Sequence, residues 1–354
     1  MLKERILFVA FGQGGGNVTN ELEKKGFNAA YINTSGEDLS TLDTDPRNTF
    51  HIPTTSGCSK NKSKARVYVK KYYQSMINHI NGKFPNQDIV FFVFASGGGT
   101  GAGIAPMLLD LISSDPDNEF KNYGIIMILP SEDESIKCLT NGLGTYSEIT
   151  QIENLKSVFL IDNAKDDKMI LNSKFANLFD RFVSSGNPSP RGNMDSDELE
   201  TLLTTKGVTT ILQVKEAKNG ILEIANNLFV DYTYGCDKIG IVCENKDVEV
   251  EMRDLLEEEV GYPEDFFTGY SDNINLAIIT GMNYPDSMVS SFEKIIEEKM
   301  EEKNKQRKGS IKISSKFVDS PKLDEPVCKI DKAKAKERQK SKKEDTAKRL
   351  SKWF

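Results

Sequence analysis

Two glycine-rich segments constrain the fold of this chain more than any other feature. The first, 12–16, follows the short apolar run 6–11, and the second, 97–103, follows the run 89–94. Further runs at 29–33, 124–129 and 158–161 alternate with helical stretches in the same way. This alternation is typical of a parallel α/β sheet covered by helices on both faces. Both glycine segments should therefore lie at the carboxyl ends of strands, where open parallel sheets bind ligands.

The composition of these segments indicates what they bind. Successive glycine N–H groups can form an anion-binding concavity, and the helix that follows adds its positive N-terminal dipole. Two such segments on one sheet edge indicate a single extended polyphosphate. The first segment alone also fits a plain strand-to-helix turn or a dinucleotide-binding loop. Asn33-Thr34-Ser35 argues against a dinucleotide fold, because a ribose-binding carboxylate belongs at the end of that second strand. No G-x-x-x-x-G-K-[ST] motif occurs, so the chain is not a P-loop NTPase.

The second half of the chain predicts a smaller α/β unit. A long helix at 168–185 is followed by the Pro- and Gly-rich stretch 186–193, which predicts a hinge. Strands are expected at 208–214, 238–242, 274–280 and 310–318, with helices near 246–259 and 285–305. The predicted domains are a nucleotide-binding domain at 1–166, a central helix and hinge at 167–192, a C-terminal domain at 193–318 and a tail at 319–354.

Charge separates the body from the tail. The 354 residues include 46 basic and 53 acidic residues, a net charge of −7. After position 300 there are 18 basic and 9 acidic residues, so this part carries +9 and the first 300 residues carry −16. An acidic body with a basic arm is typical of a globular unit joined to an interaction tail.

Composition also predicts the compartment. No apolar run approaches the roughly 18 residues that a membrane span needs, and the apolar start is too short for a signal-peptide core. Five cysteines, at 58, 138, 236, 243 and 328, contain no C-x-x-C pair. They fit neither a disulfide framework nor a zinc cluster, so we expect a protein of the reducing cytoplasm without a membrane partner.

Residues 97–103 also contain the motif G-G-G-T-G-x-G, and with it the sequence resembles the tubulin/FtsZ family of self-assembling GTPases. In chain order, Gly12-Gln13 resembles the first phosphate loop of that family, 32–34 the second, and 160–163 the base-contacting loop. The stretch 192–198 resembles the synergy loop N-x-D-x-x-[DE]. The resemblance covers about residues 5–310. It implies an α/β fold with a parallel-sheet GTP-binding domain, a long central helix, a smaller α/β C-terminal domain and a basic tail.

The resemblance also implies a set of nucleotide-binding residues for GTP or GDP with Mg²⁺. The phosphate contacts would come from Gly12, Gln13, Gly14, Gly15, Gly16, Asn17, Asn33, Gly97, Gly98, Gly99, Thr100, Gly101, Ala102 and Gly103, with Gln13 near the metal. Pro130 and Glu134 would lie at the ribose, although Lys137 and Cys138 stand where FtsZ has an arginine. Asn163 and Asn177 would read the guanine edge. Phe175 would either stack on the base or belong to the core, and the basic loop 57–62 would either touch the γ-phosphate or be a solvated loop.

Hydrolysis needs groups that the phosphate loops lack, since His51 and His79 lie outside every motif. The resemblance implies that the synergy loop of a neighbouring subunit supplies them, here Asn193, Asp195 and Glu198. Two carboxylates three residues apart on a helix share one side and can orient a water. The alternative is that Asp195 caps a helix and Glu198 completes a capping box.

The tail indicates the branch of the family. Residues 329–354 hold 11 basic and 4 acidic residues. This resembles the plasmid- and phage-borne TubZ branch, whose basic tail engages a DNA-bound adaptor, TubR, at a centromere-like site. The implied function is a filament that segregates plasmid or phage DNA. Cell division, a monomeric dinucleotide-binding enzyme, direct binding of DNA phosphates by the tail and a solvated charged helix are alternatives. We expect Leu350, Trp353 and Phe354 to form an apolar anchor for a partner.

Overall fold

The computed structural model describes residues 2–115, 118, 121–186, 192–217, 220–225, 228–272, 274–308 and 346–354. The strands are β1 (Ile6–Phe11), β2 (Asn28–Asn33), β3 (Thr49–His51), β4 (Ile89–Ala95), β5 (Asn122–Leu129), β6 (Leu155–Asp162), β7 (Gly207–Glu216), β8 (Leu222–Ile224), β9 (Lys238–Cys243), β10 (Asp265–Tyr270) and β11 (Leu276–Met282). The helices are α1 (Leu2–Arg5), α2 (Gly12–Lys24), α3 (Gly36–Ser40), α4 (Lys62–Lys83), α5 (Thr100–Ser113), α6 (Ile136–Ile149), α7 (Lys168–Ser184), α8 (Ser196–Thr204), α9 (Lys246–Val260) and α10 (Asp286–Lys308).

One mixed sheet runs through both predicted α/β units. Its strand order is β10-β9-β11-β7-β6-β5-β4-β1-β2-β3, and β8 pairs with the far end of β7. From β3 to β7 the neighbours are parallel, whereas β11 is antiparallel to both β7 and β9. The parallel pairing of β6 with β7 joins the two units. Strand order reverses between β1 and β4, which is the position where open α/β sheets form a ligand crevice.

Two apolar layers bury the sheet. One face is covered by α2, α7 and α8, represented by Val18, Phe179 and Leu202. The opposite face packs against α4, α5, α6, α9 and α10. Because both faces are buried, β1 is buried at all six positions, in agreement with its unbroken apolar sequence.

Most predicted elements match the structure to within three residues. Strand β10 was not predicted, because it is a half-exposed edge strand that contains an aspartate and a glycine and so lacks an apolar run. The strand predicted at 310–318 lies outside the described residues, as do positions 187–191 of the predicted hinge. Within the described part of the chain, no helix is long and apolar enough to cross a membrane.

The structure places the predicted apolar anchor of the C-terminus against the body of its own chain. Residues 346–352 are helical, and Trp353 is only 8% exposed because it packs against the body of its own chain. Leu350 contacts the same core, while Phe354 remains 62% exposed.

Candidate nucleotide-binding site

A cavity of about 540 Å³ opens where the chain leaves β1 and β4. Both glycine segments contribute to it, and α2 and α5 begin at its edge, so two helix N-termini face the same space. Positive dipole ends and glycine backbone are the features that favour a polyphosphate. The predicted residues that line the cavity are Gly12, Gln13, Gly14, Asn17, Gly97, Gly98, Gly99, Thr100, Gly101, Pro130, Glu134 and Asn163.

Several predicted phosphate contacts instead serve packing. A Cβ atom on Gly15 would lie 2.0 Å from the Val93 carbonyl oxygen, so this glycine allows α2 to approach β4. A Cβ atom on Gly103 would lie 2.6 Å from Ala65 Cβ, where α5 meets α4. Gly16 faces Leu42, and Ala102 is fully buried. None of these four is part of the cavity lining, because a helix that leaves the cavity turns its later residues toward the sheet or its neighbours.

Gly99 of the second segment contacts the backbone of the loop that precedes α4. A Cβ atom there would lie 2.9 Å from the backbone nitrogens of both Lys60 and Asn61. The loop that precedes α4 therefore lies directly against the glycine segment, and residues 57–60 line the cavity. Ser59 and Lys60 both have positive φ, 48° and 57°, an uncommon conformation for residues with a side chain. Of the two interpretations of this loop, the structure favours one in which it faces the ligand.

Asn141 of α6 holds these loops together. Its amide nitrogen lies within hydrogen-bond distance of three carbonyl oxygens, those of Lys60 at 3.0 Å, Gly98 at 3.0 Å and Gly97 at 3.3 Å. On the other side, the Thr100 hydroxyl is 2.6 Å from that of Thr34. These contacts hold the glycine segments and the loop 57–60 together, and we call this lining the glycine cradle. Asn141 was missed in the sequence, because nothing near it resembles a motif.

A charged cluster closes one side of the cavity. The Glu134 carboxylate lies 2.8 Å from Lys168 Nζ and 3.4 Å from Lys60 Nζ. The hydrogen bond from Lys168 is the main reason why the pKa of Glu134 falls to about 2. Burial, reinforced by Glu134, raises the pKa of the neighbouring Cys138 thiol to about 11, so it stays protonated at neutral pH. Glu134 is thus ionised and already paired at the place where ribose contact was expected.

Of the two amides predicted to read the base, one lies at the cavity and the other does not. Asn163 lines the cavity, and so does Asn172, which is 5% exposed on α7. Asn177 is exposed and lies outside the lining. Phe175 is 1% exposed and packs edge-on against Phe159, at 5.7 Å between ring centroids, so it belongs to the core. Of the two roles considered for Phe175, the structure supports the one in the core.

Asn33 does not line the cavity, but its side chain hydrogen-bonds two residues that do. Its side-chain oxygen accepts from Ser35 N at 3.1 Å, and its amide nitrogen donates to Asp38 at 3.2 Å. Ser35 and Asp38 themselves line the cavity. Among the described residues, no group of three or more His, Cys, Asp or Glu side chains could hold a metal. A magnesium ion in a nucleotide site is usually held by one or two protein oxygens together with phosphate and water oxygens, and Asp38 offers a carboxylate in the cavity lining.

The three predicted hydrolytic residues lie away from the cavity. Asp195 caps α8, with its Oδ1 accepting from the backbone N–H of Asp197 and Glu198. In turn, the Glu198 carboxylate accepts a hydrogen bond from the backbone N–H of Asp195 at 2.8 Å, which completes a capping box. The Asn193 amide bonds the backbone carbonyls of Gly186 and Met194. None of the three lines the cavity. The cavity meets the start of α7, whereas these residues follow its end, and 17 helical residues span about 25 Å.

Comparison with known proteins agrees with this geometry. The Tubulin/FtsZ family, GTPase domain, matches residues 5–170. The tubulin-like protein TubZ of a Clostridium botulinum C phage is 34% identical over 313 residues, which are 85% of this chain and 86% of that protein. A tail-truncated TubZ of Clostridium botulinum phage c-st has the same fold, with a TM-score of 0.77 at 33% identity, over 85% of this chain and all of that one.

More distant relatives share the fold. The GDP-form protofilament structure of TubZ from Bacillus thuringiensis serovar israelensis aligns with a TM-score of 0.71 at 16% identity, over 87% of this chain and 95% of that one. The glycine cradle, the sheet order and the phage relative lead to one conclusion: this chain belongs to the tubulin/FtsZ family of polymerising GTPases, as a TubZ-like protein that binds GTP and GDP and hydrolyses GTP.

Proposed function

We propose that this GTPase assembles head to tail and hydrolyses GTP only at the junction between two subunits. The observation that carries the proposal is the separation of the glycine cradle from Asp195 and Glu198, at opposite ends of α7. A subunit stacked along this axis would present its carboxylates to the cavity of the next. Protofilament structures of a Bacillus TubZ are consistent with such stacking.

In the proposed hydrolysis, one subunit would supply backbone N–H groups and the next would supply carboxylates. Backbone N–H groups of the two glycine segments would bind the phosphates and stabilise the charge that develops on them. The Glu198 carboxylate, with Asp195 beside it, would orient a water for in-line attack on the γ-phosphate. When bound, Mg²⁺ would neutralise charge on the terminal phosphates, and Gln13, Thr100 and Asp38 are among the lining side chains with oxygen atoms that could hold it.

A single substitution separates catalysis from capping. Glu198→Gln keeps a side-chain oxygen that accepts from Asp195 N, so α8 stays capped, but it removes the charge. We expect the same thermal stability, normal filament growth and phosphate release slower by about 100-fold, the lower end of what a positioned acid or base contributes. Asp197→Asn, on the same exposed turn, is the control and should keep its activity. Normal turnover in Glu198→Gln would contradict the catalytic assignment.

The cellular role proposed for the filament is segregation of plasmid or phage DNA in the cytoplasm. The basic tail would engage a TubR-like adaptor bound to a centromere-like DNA site. Support comes from the tail's charge and from the phage TubZ relative. In a co-sedimentation assay, filaments of the full chain should carry the adaptor–DNA complex, and filaments lacking residues 329–354 should not. Equal co-sedimentation by both would contradict the role of the tail.

A further inference from the structure

The end of the chain is held in a groove on its own body. The C-terminal segment, residues 346–354, begins as a helix and ends with Trp353 buried and Leu350 packed against the main core. The groove is formed by α4 and α5. Both helices start at the nucleotide cavity, with Lys62 following the loop 57–61 and Thr100 within the second glycine segment.

Asp110 supplies the specific contact of this groove. It is 3% exposed, on a helix whose other buried side chains are almost all apolar. One carboxylate oxygen accepts from Trp353 Nε1 at 3.1 Å, and the other lies 3.4 Å from Arg349 Nη1. A buried carboxylate is costly without partners, and the C-terminal segment provides two. Asp110 therefore recognises an indole N–H and a guanidinium together.

The facing helix α4 contributes cations for the aromatic rings. The Arg66 guanidinium lies 5.1 Å from the Trp353 ring centroid, and its Nη1 donates to the Trp353 carbonyl oxygen at 3.4 Å. Lys70 Nζ lies 5.2 Å from the Phe354 ring centroid. Arg66 is itself held by an ion pair with Glu148 of α6. Such cation–π contacts, together with a hydrogen bond to the indole, favour a ligand that ends in aromatic residues.

We infer that the α4–α5 groove, defined by Arg66, Lys70 and Asp110, is a binding site for a basic helix that ends in two aromatic residues. Its occupant is the chain's own C-terminal segment, which is thereby withheld from other partners. This inference rests on the proposed function only for the identity of the displaced partner, the DNA-bound adaptor.

Docking of the C-terminal segment is intramolecular, and this determines how strongly it competes with a partner that binds the same segment. Residues 309–345 connect the segment to α10, and such intramolecular ligands experience effective concentrations on the order of 1 mM. If the free segment bound with a Kd of about 10–100 μM, it would be docked in roughly 90–99% of molecules. The apparent affinity of a partner for the segment would then fall by about 10- to 100-fold.

Fluorescence tests the docking directly, because Trp353 is the only tryptophan in the chain. In the full-length protein we expect blue-shifted emission and weak quenching by acrylamide. Asp110→Ala on the body and Arg349→Ala on the segment should each shift emission to the red and raise the quenching constant severalfold. Lys352→Ala removes an exposed charge from the same segment and should change neither. Arg349→Ala leaves the body sequence intact, so its result does not depend on the folding of Asp110→Ala.

An antibody raised against the peptide 346–354 can stand in for a partner. We expect it to bind full-length Asp110→Ala at least about tenfold more tightly than the wild type. Equal affinities, or a wild-type Trp353 quenched as readily as free tryptophan, would overturn the inference. Neither measurement involves GTP, DNA or an adaptor, so such a failure would leave the proposed function intact.

Discussion

At the scale of single residues, the glycines of the phosphate segments divide into two kinds. Gly15 and Gly103 are required where helices approach a strand or another helix, whereas Gly99 is where the second segment contacts the loop that precedes α4. The first kind should matter for folding and the second for the shape of the cradle.

Gly99→Ala tests this division. The added methyl group would push against the backbone of Lys60 and Asn61, so we expect GTP binding to weaken by about tenfold, or roughly 1.4 kcal/mol. Gly82→Ala is the control, because a Cβ atom on Gly82 of α4 meets nothing within 4 Å. It should bind GTP normally and be more stable by about 0.5–1 kcal/mol, the usual gain for Gly to Ala within a helix. Equal GTP affinities of Gly99→Ala and the wild type, measured by calorimetry, would argue against a role of the Gly99 contact in shaping the cradle.

Asn172 and Asn177 form a second matched pair. Asn172 faces the cavity, whereas Asn177 is exposed outside it. We expect Asn172→Ala to weaken GTP binding by about 1 kcal/mol, the typical contribution of one hydrogen bond, and Asn177→Ala to leave it unchanged. Competition with ATP should show that Asn172→Ala also lowers discrimination between the two bases. The opposite ranking of the two variants would restore Asn177 as the base-reading residue.

From the sequence, Asn177 on α7 was predicted and Asn172 was missed, because the sequence alone does not show which side of this helix faces the cavity. Five residues along a helix correspond to a rotation of about 140°, so only one of the two can face the nucleotide. Which one does is set by how α7 packs on the sheet, through the burial of Phe175 and Phe179. The glycine segments, in contrast, could be assigned from the sequence, because a run of glycines itself indicates backbone N–H groups that can bind an anion.

At the scale of elements, the Glu134 cluster connects three parts of the structure. Glu134 follows β5, Lys60 precedes α4, and Lys168 is the first residue of α7. The pKa of Glu134 is lowered to about 2. Its ion pairs therefore stabilise the fold fully above the unfolded-state pKa of about 4.3, and this stabilisation is lost as the pH falls toward 2.

Glu134→Gln should remove that pH dependence. Because the side chain is partly exposed, we expect it to cost roughly 1–2 kcal/mol of unfolding free energy at pH 7 and almost nothing near pH 2. Urea unfolding across pH 7 to 2 measures this difference, with Glu251→Gln, at an exposed position of α9, as the control. A cost that stays constant with pH would show that packing, and not charge, explains the effect.

At the scale of the whole molecule, the strands and helices of the nucleotide-binding half could be predicted because unbroken apolar runs alternate with helical periodicity. That one continuous sheet runs through both halves could not be predicted. The β6–β7 pairing crosses the predicted hinge, and β10 lacks an apolar run. The docking of Trp353 could not be predicted either, because the composition of the tail does not indicate a contact with Asp110 on α5.

The central proposal is that hydrolysis needs two subunits, because the cradle and the carboxylates lie at opposite ends of α7. Phosphate release measured against protein concentration tests this proposal most directly. We predict almost no release below a critical concentration and a linear rise above it, over roughly two decades that span the micromolar range. Release in strict proportion to concentration from the lowest point would mean that each subunit carries a complete site, which would contradict the account.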